Sequence, residues 1–288
     1  VAGGCPRGAA GIPGPAPGTP RHRHPPPAGA SPGALLTLLR EAFAGINARF
    51  HLVGFYTLAY LSLRFVSLVE AEQAPEWIPL VLAALAVFQG TVSGILGLVF
   101  QAAGGAPGRA TFPRYAAVLF VPLLWIHIKI SLLVSLVWAF AVGVWHAATG
   151  APLDTAAGQV LFWGAPGFRL LSSIAALYSV PLCILSWLRR ERRAHLREGW
   201  GLLTSRAGTS AGLLGLSLLT IAAAAVLHYG RGPEAATEEP DVAETLVLLL
   251  YSYLELVVFF GATRVVLDRF LPGRPAPLPV AGTPGPPA

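Results

Sequence analysis

The chain has 288 residues and a formal net charge of +6; apolar residues make up 54% of it and charged residues only 12%. Ordinary soluble domains carry roughly 25% charged residues, so this chain has too few charges to cover a soluble surface. The composition excludes a soluble enzyme, a nucleic-acid-binding module and a disulfide-stapled domain. It predicts an integral membrane protein whose first partner is the lipid bilayer.

The two ends of the chain differ in composition from the middle. Residues 1–33 are rich in Pro, Gly and Ala, and residues 271–288 are rich in Pro. Neither segment has the apolar periodicity of a helix or strand, so both are predicted to be disordered tails. The segment between them, 34–270, is predicted to be one transmembrane helical domain.

Two segments are predicted to be amphipathic helices that lie in the membrane interface, near 35–49 and 194–206. In the first, four leucines with Phe43 and Ile46 fall mostly on one helical face, and Arg40 and Arg49 lie largely opposite. This separation of apolar and charged faces is typical of interfacial helices. Each of the two precedes a long apolar segment.

Long apolar segments predict an all-α, polytopic transmembrane bundle of about six spans, since one span needs about 20 such residues. The predicted spans are 50–69, 78–100, 115–146, 169–188, 211–229 and 243–267. The third is too long for one upright span. Either Pro122 separates an interfacial part from the span, or the segment forms two short spans, which would invert the topology downstream.

Basic residues favour the six-span alternative. Arginines cluster before span one, between spans two and three, between spans four and five, and after span six, whereas the alternate connections are acidic or poor in arginine. Cytoplasmic loops carry an excess of Lys and Arg. The pattern therefore predicts both termini inside and a multi-pass protein of the inner (cytoplasmic) membrane.

The segment 158–168 is apolar but short, and it contains Gly and Pro residues. Two interpretations are open: an interfacial or re-entrant piece on the outer side, or an extension of the fourth span. A second local feature, Gly90 and Gly94 in the second span, predicts close helix packing, because small residues allow helices to approach.

An internal repeat is suggested by two similar stretches. Leu39-Arg-Glu-Ala-Phe43 resembles Leu196-Arg-Glu-Gly-Trp200, and each copy precedes a span, an acidic outer connection and a second span. The two units would run parallel. The alternative is that any interfacial helix uses leucines and arginines in this way.

Three ionisable residues are predicted to lie well inside spans, where charge is costly and usually has a partner or a cavity. They are Arg64, Lys129 and Glu255. Lys129, the only lysine, and Glu255 fall at similar depth, so they are predicted to pair across the third and sixth spans. His127 lies beside Lys129, and Tyr251 lies one helical turn from Glu255.

The Lys129 and Glu255 pair has two interpretations. Functionally it is a proton or ion relay with Glu255 as carrier, and structurally it is an interhelical lock. Arg264 and Asp268, one turn apart at the inner edge, are predicted to form a local surface pair.

Sequence signatures of enzymes are mostly missing. The chain has no HExxH zinc motif, no P-loop and no Gly-rich dinucleotide fingerprint. We therefore predict a protein that is not an enzyme and that holds no cofactor and no metal.

One stretch resembles a known family. Ser93-Gly-Ile-Leu-Gly97, Gly104-Gly105, Thr111-Phe-Pro-Arg-Tyr115, Val121-Pro122 and Leu136-Val-Trp-Ala139 occur in this order. Over residues 50–150 this resembles the bacterial branch of the Yip1 family of polytopic membrane proteins. The resemblance implies a small helical membrane protein linked to membrane trafficking or shaping. Members usually have five spans, whereas six are predicted here.

The function expected from these observations is a non-enzymatic scaffold or assembly protein of Yip1-like type, with other membrane proteins as partners. The alternative is a permease subunit, whose partner would be an ATPase subunit, or an ion-coupled transporter that uses Lys129 and Glu255.

Overall fold

The computed structural model of the protein describes residues 32–68, 78–104, 110–231 and 242–271. These ranges contain eight α-helices and no strand, as the sequence predicts. The helices are α1 (Pro32–Asn47), α2 (Phe50–Leu68), α3 (Ile78–Ala102), α4 (Phe112–Thr149), α5 (Leu153–Arg189), α6 (His195–Ser205), α7 (Ala207–Arg231) and α8 (Val242–Phe270). The predicted tails, 1–33 and 271–288, lie almost wholly outside the described residues.

Five of the described helices are long and apolar enough to cross a membrane, namely α3, α4, α5, α7 and α8. This makes the protein a multi-pass membrane protein. The first predicted span, 50–69, is helical as α2 but is not among these five. A sixth span, and with it the inside location of both termini, stays a prediction.

Helices α4 and α5 form a long antiparallel hairpin. They have 38 and 37 residues and are joined by three residues, of which Gly150 caps α4 with a positive φ of 68° that favours glycine. At about 1.5 Å per residue each is about 55 Å long, whereas the hydrocarbon core is about 30 Å thick.

Both helices of this hairpin are continuous, and this answers two questions that the sequence left open. Residues 115–146 belong to one helix that runs through Pro122, so the two-span alternative is wrong. Residues 158–168 extend the fourth span as part of α5, so the re-entrant alternative is wrong as well. In both helices, the backbone hydrogen bonds on either side outweigh the bond lost at each internal proline, which is Pro122 in α4 and Pro166 and Pro181 in α5.

Helix α8 is the centre of the bundle. It packs on α1, α2, α3, α5 and α7, and nearly all its residues from Leu256 to Leu267 are buried. Helix α4 is on the other side, where it packs on α3 and α5. This order of helices around the bundle determines which polar side chains meet.

Glycines bring α3 and α4 close together. A Cβ atom added at Gly94 would meet the ring of Phe112, and one added at Gly97 would meet the ring of Tyr115. At Gly90 the nearest atom, on Phe120, would be 3.9 Å away. The predicted close packing is therefore confirmed, with its tightest points at Gly94 and Gly97.

Both predicted amphipathic helices are present, as α1 and α6. Each is followed after a short elbow by an apolar helix, so the proposed repeat units α1–α3 and α6–α8 share one order of elements. They dock differently, because α1 packs on α8 whereas α6 packs on α5, where Gly199 approaches Ser179.

The predicted Arg264–Asp268 pair is wrong. Arg264 forms an ion pair with Glu41 of α1 at 3.2 Å and donates to the backbone oxygen of Ala103 at 3.4 Å. Asp268 is exposed. Helix α1 covers the face of α8 that carries Arg264, so the guanidinium meets a carboxylate of another helix.

Candidate functional site

Glu255 lies near the middle of α8 and faces a group of phenol side chains. Tyr60 of α2 donates a hydrogen bond to Glu255 Oε2 at 3.5 Å. The hydroxyl groups of Tyr56 and Tyr251 face the same carboxyl group. We call Tyr56, Tyr60 and Tyr251 the tyrosine cluster. The side chain of Glu255 is partly buried in the protein. The part of the side chain that is not buried lies within an apolar span.

Helix spacing explains how this cluster forms. Tyr56 and Tyr60 are one turn apart on α2, and Tyr251 and Glu255 are one turn apart on α8, so each pair shares a face. The ring of Tyr60 lies edge-on to those of Tyr56 and Tyr251, with centroids 5.2 and 5.8 Å away. It also contacts Phe88 of α3 at 5.4 Å. The predicted proximity of Tyr251 to Glu255 is confirmed.

The predicted ion pair between Lys129 and Glu255 is wrong. Glu255 faces α2, whereas Lys129 lies on the α4 face toward α5 and α6, with its ammonium 5.2 Å from the ring centroid of Trp125. Helix α4 does not pack substantially on α8. Among the described side chains, no ion pair includes either residue.

His127 belongs to a separate polar group between α3 and α4. Its Nδ1 lies 3.3 Å from Gln89 Oε1, and Gln89 donates to the hydroxyl of Ser93 at 3.3 Å. Residues two apart on a helix point about 200° apart, which is why His127 faces α3 while Lys129 faces α5. His127 therefore does not act together with Lys129.

Arg64 belongs to α2, but its side chain lies outside the described part of the chain.

A cavity of about 170 Å³ opens between α4, α5 and α6, close to Lys129. Its lining residues are Val121, Pro122, Trp125, Ile126, Cys183, Ser186, Trp187 and His195. Two hydrogen bonds join the helices that form its wall. Ser186 Oγ of α5 lies 2.7 Å from His195 Nε2 of α6, and Cys183 Sγ of α5 donates to the backbone oxygen of Pro122 in α4 at 3.4 Å.

His195, the first residue of α6, is the titratable group of this wall that lies outside the spans. Burial lowers the pKa of His195, and the positive charge of Lys129 lowers it further; Glu198 opposes and Arg193 adds to this effect. The neutral ring is therefore favoured. The Ser186–His195 hydrogen bond was not predicted from the sequence, because Ser186 lies at the end of a span and His195 lies in an arginine-rich connection.

Within the described residues, no group of three or more His, Cys, Asp or Glu side chains is placed to hold a metal ion. The two polar centres of the bundle, around Glu255 and around the cavity, thus consist of side chains that donate and accept protons or hydrogen bonds.

No protein-family model matches the chain, and no significant match was found among curated proteins or solved structures. Side-chain contacts are therefore the basis on which function can be inferred.

Proposed function

We propose that the protein is an ion-coupled membrane transport protein in which Glu255 takes up and releases a proton. The observation that carries this proposal is the position of one carboxyl group in mid-span, facing three phenol hydroxyls from two helices. Ionisable residues in this position usually mark ion or proton pathways.

The chemistry of the tyrosine cluster supports proton exchange. A lone charge is costly away from water, so the carboxyl of Glu255 either carries a proton or accepts hydrogen bonds from phenols. Phenol hydroxyls both donate and accept, so they serve both forms of the carboxyl. Because Lys129 faces another part of the bundle, it does not fix Glu255 in its charged form.

Infrared difference spectra of the purified protein, between acidic and alkaline buffer, test this proposal directly. We expect the band of a titrating carboxyl group that Glu255→Gln removes. The matched control is Asp268→Asn, the same chemical change at the exposed end of the same helix, which keeps that band. A spectrum that Glu255→Gln leaves unchanged contradicts the proposal.

Proteoliposomes test the transport step. With a pH-sensitive dye inside, an imposed pH gradient should relax faster with the wild-type protein than with Glu255→Gln, and Asp268→Asn should behave as wild type. If folded Glu255→Gln instead relaxes the gradient as fast as the wild type does, Glu255 has only a structural role.

The second candidate function is the Yip1-like scaffold, and the α4–α5 hairpin favours it. Its helices are longer than a single span needs, and four large apolar side chains near its tip are more than half exposed: Phe140, Val144, Leu153 and Leu161. A native pull-down from solubilised membranes distinguishes the two functions. Isolation of the protein without stoichiometric partners supports the ion-coupled transport protein, and structural membrane partners support the scaffold.

A further inference from the structure

We propose that the cavity between α4, α5 and α6 binds an acidic phospholipid, with an acyl segment in the cavity and the anionic headgroup near Lys129 and the arginine-rich connection. This inference is independent of the role of Glu255. It concerns the end of the bundle that the arginines predict to be cytoplasmic.

The size and lining of the cavity indicate its apolar occupant. A cavity of about 150 Å³ with an apolar lining holds a benzene-sized group, and this one has about 170 Å³. Five of its eight lining residues are Val121, Pro122, Ile126 and two tryptophans. A short stretch of acyl chain therefore fits, whereas a free polar solute does not.

Both tryptophans that line the cavity are more than half exposed at the protein surface. Trp125 is 58% and Trp187 is 51% exposed. Tryptophan is enriched at the level of the lipid headgroups. The cavity therefore opens at the depth where an acyl chain meets its headgroup.

Charge complementarity indicates the headgroup. Lys129 lies over the ring of Trp125, which lines the cavity, and no carboxylate is within 4.0 Å of Lys129 among the described residues. Residues 189–198 add five arginines against two glutamates. Basic pockets between spans on the cytoplasmic side bind anionic headgroups.

The Ser186–His195 hydrogen bond also lies in this wall, and a serine beside a histidine is a known nucleophile arrangement. In such an arrangement the histidine is in turn oriented by a third group. Among the described residues, no hydrogen bond to the ring of His195 is found besides that with Ser186. The geometry thus favours lipid binding over acyl hydrolysis.

The test uses the full chain, purified and delipidated in detergent, with native mass spectrometry to count bound lipid. Phosphatidylglycerol and phosphatidylcholine of identical acyl chains are compared. We expect tighter binding of phosphatidylglycerol, and about fivefold weaker binding of it by Lys129→Gln, since one basic residue at a membrane surface contributes about that factor. Arg40→Gln, which removes one positive charge at an exposed residue of α1, should bind as wild type.

Val121→Trp provides an independent variant, because Val121 is 65% exposed at the cavity rim and a larger ring there blocks entry without altering charge. It should weaken both phospholipids. Equal binding of the two lipids, equal loss in Lys129→Gln and Arg40→Gln, or full displacement of phosphatidylglycerol by inorganic phosphate would each overturn the proposal; the last outcome would make the site one for small anions.

Discussion

The sequence predicts Glu255 and Lys129 at a similar depth in the membrane, but the structure places the two ionisable residues in different surroundings. Glu255 faces the tyrosine cluster in the interior of the bundle, whereas Lys129 lies over Trp125 beside a cavity that opens at the membrane interface. A lysine has a long apolar stem that lets its charge reach the interface, and glutamate does not. Depth alone therefore does not determine which charges meet.

The largest effect that separates the two residues is expected from replacement by methionine. Glu255→Met removes the acceptor of the Tyr60 hydroxyl and the carboxyl group that the hydroxyls of Tyr56 and Tyr251 face, and each buried group left unpaired costs about 1–3 kcal/mol. We expect a loss of about 2–4 kcal/mol in the free energy of unfolding, measured by thermal or denaturant unfolding in detergent. If Glu255→Met lost less free energy of unfolding than Lys129→Met, the proposed difference between the two residues would be wrong.

Removal of a single donor should have a smaller effect. Tyr60→Phe keeps the ring contacts but deletes the hydroxyl that donates to Glu255, which we expect to cost about 1–3 kcal/mol. The control is Tyr253→Phe, whose hydroxyl donates to exposed Asn47 at 2.7 Å and whose loss should cost less. In a double-mutant cycle with Glu255→Met, which has no acceptor at this position, an absence of coupling would show that Tyr60 and Glu255 do not interact.

At the cavity, the stability of the protein should depend on pH through His195. Its pKa is lowered in the folded protein by burial and by Lys129, so below its unfolded value of about 6.5 the unfolded chain binds more protons. Stability is therefore fully present above about pH 6.5 and falls as the pH drops through this value, by less than about 1 kcal/mol since the ring is half-buried.

The measurement is the melting temperature in detergent across this pH range, compared between the wild type and His195→Gln. The variant should lack part of the decrease on the acidic side. His51→Gln, at an exposed histidine of α2, serves as the control and should follow the wild type. If both variants follow the wild type, His195 does not contribute to the pH dependence.

The smallest effect is expected for Lys129→Met. The variant loses a cation–π contact of about 0.5–1 kcal/mol but also removes a charge from an apolar span, which offsets part of that loss. Unfolding in detergent should show a change of less than about 1 kcal/mol. A larger loss would mean that Lys129 has a structural partner comparable to that of Glu255.

The helices were predictable because they depend on local composition. Runs of about 20 apolar residues indicate spans wherever they occur, and amphipathic patterns indicated α1 and α6. The length of α4 was visible in the sequence, but its continuity through Pro122 was not, since a proline permits either a break or a kink.

The contacts of the site were only partly predictable. The spacing of Tyr251 and Glu255 placed them on one face, and the same argument applied to Tyr56 and Tyr60 would have revealed a second polar face on α2. Which faces meet depends on the order of helices around the bundle, and hydropathy contains no information on that order. For this reason Lys129 was assigned to Glu255, although α3 and α5 are the neighbours of α4.

The length of the α4–α5 hairpin has a consequence for the membrane itself. Two joined helices of 38 and 37 residues have to tilt strongly to keep their apolar surface in a bilayer of ordinary thickness. Tilting, and any local thickening of the lipid around the hairpin, carries an energy that changes with each ångström of mismatch. The hairpin therefore couples the protein to bilayer thickness, so a thicker membrane relieves its tilt and a thinner one increases it.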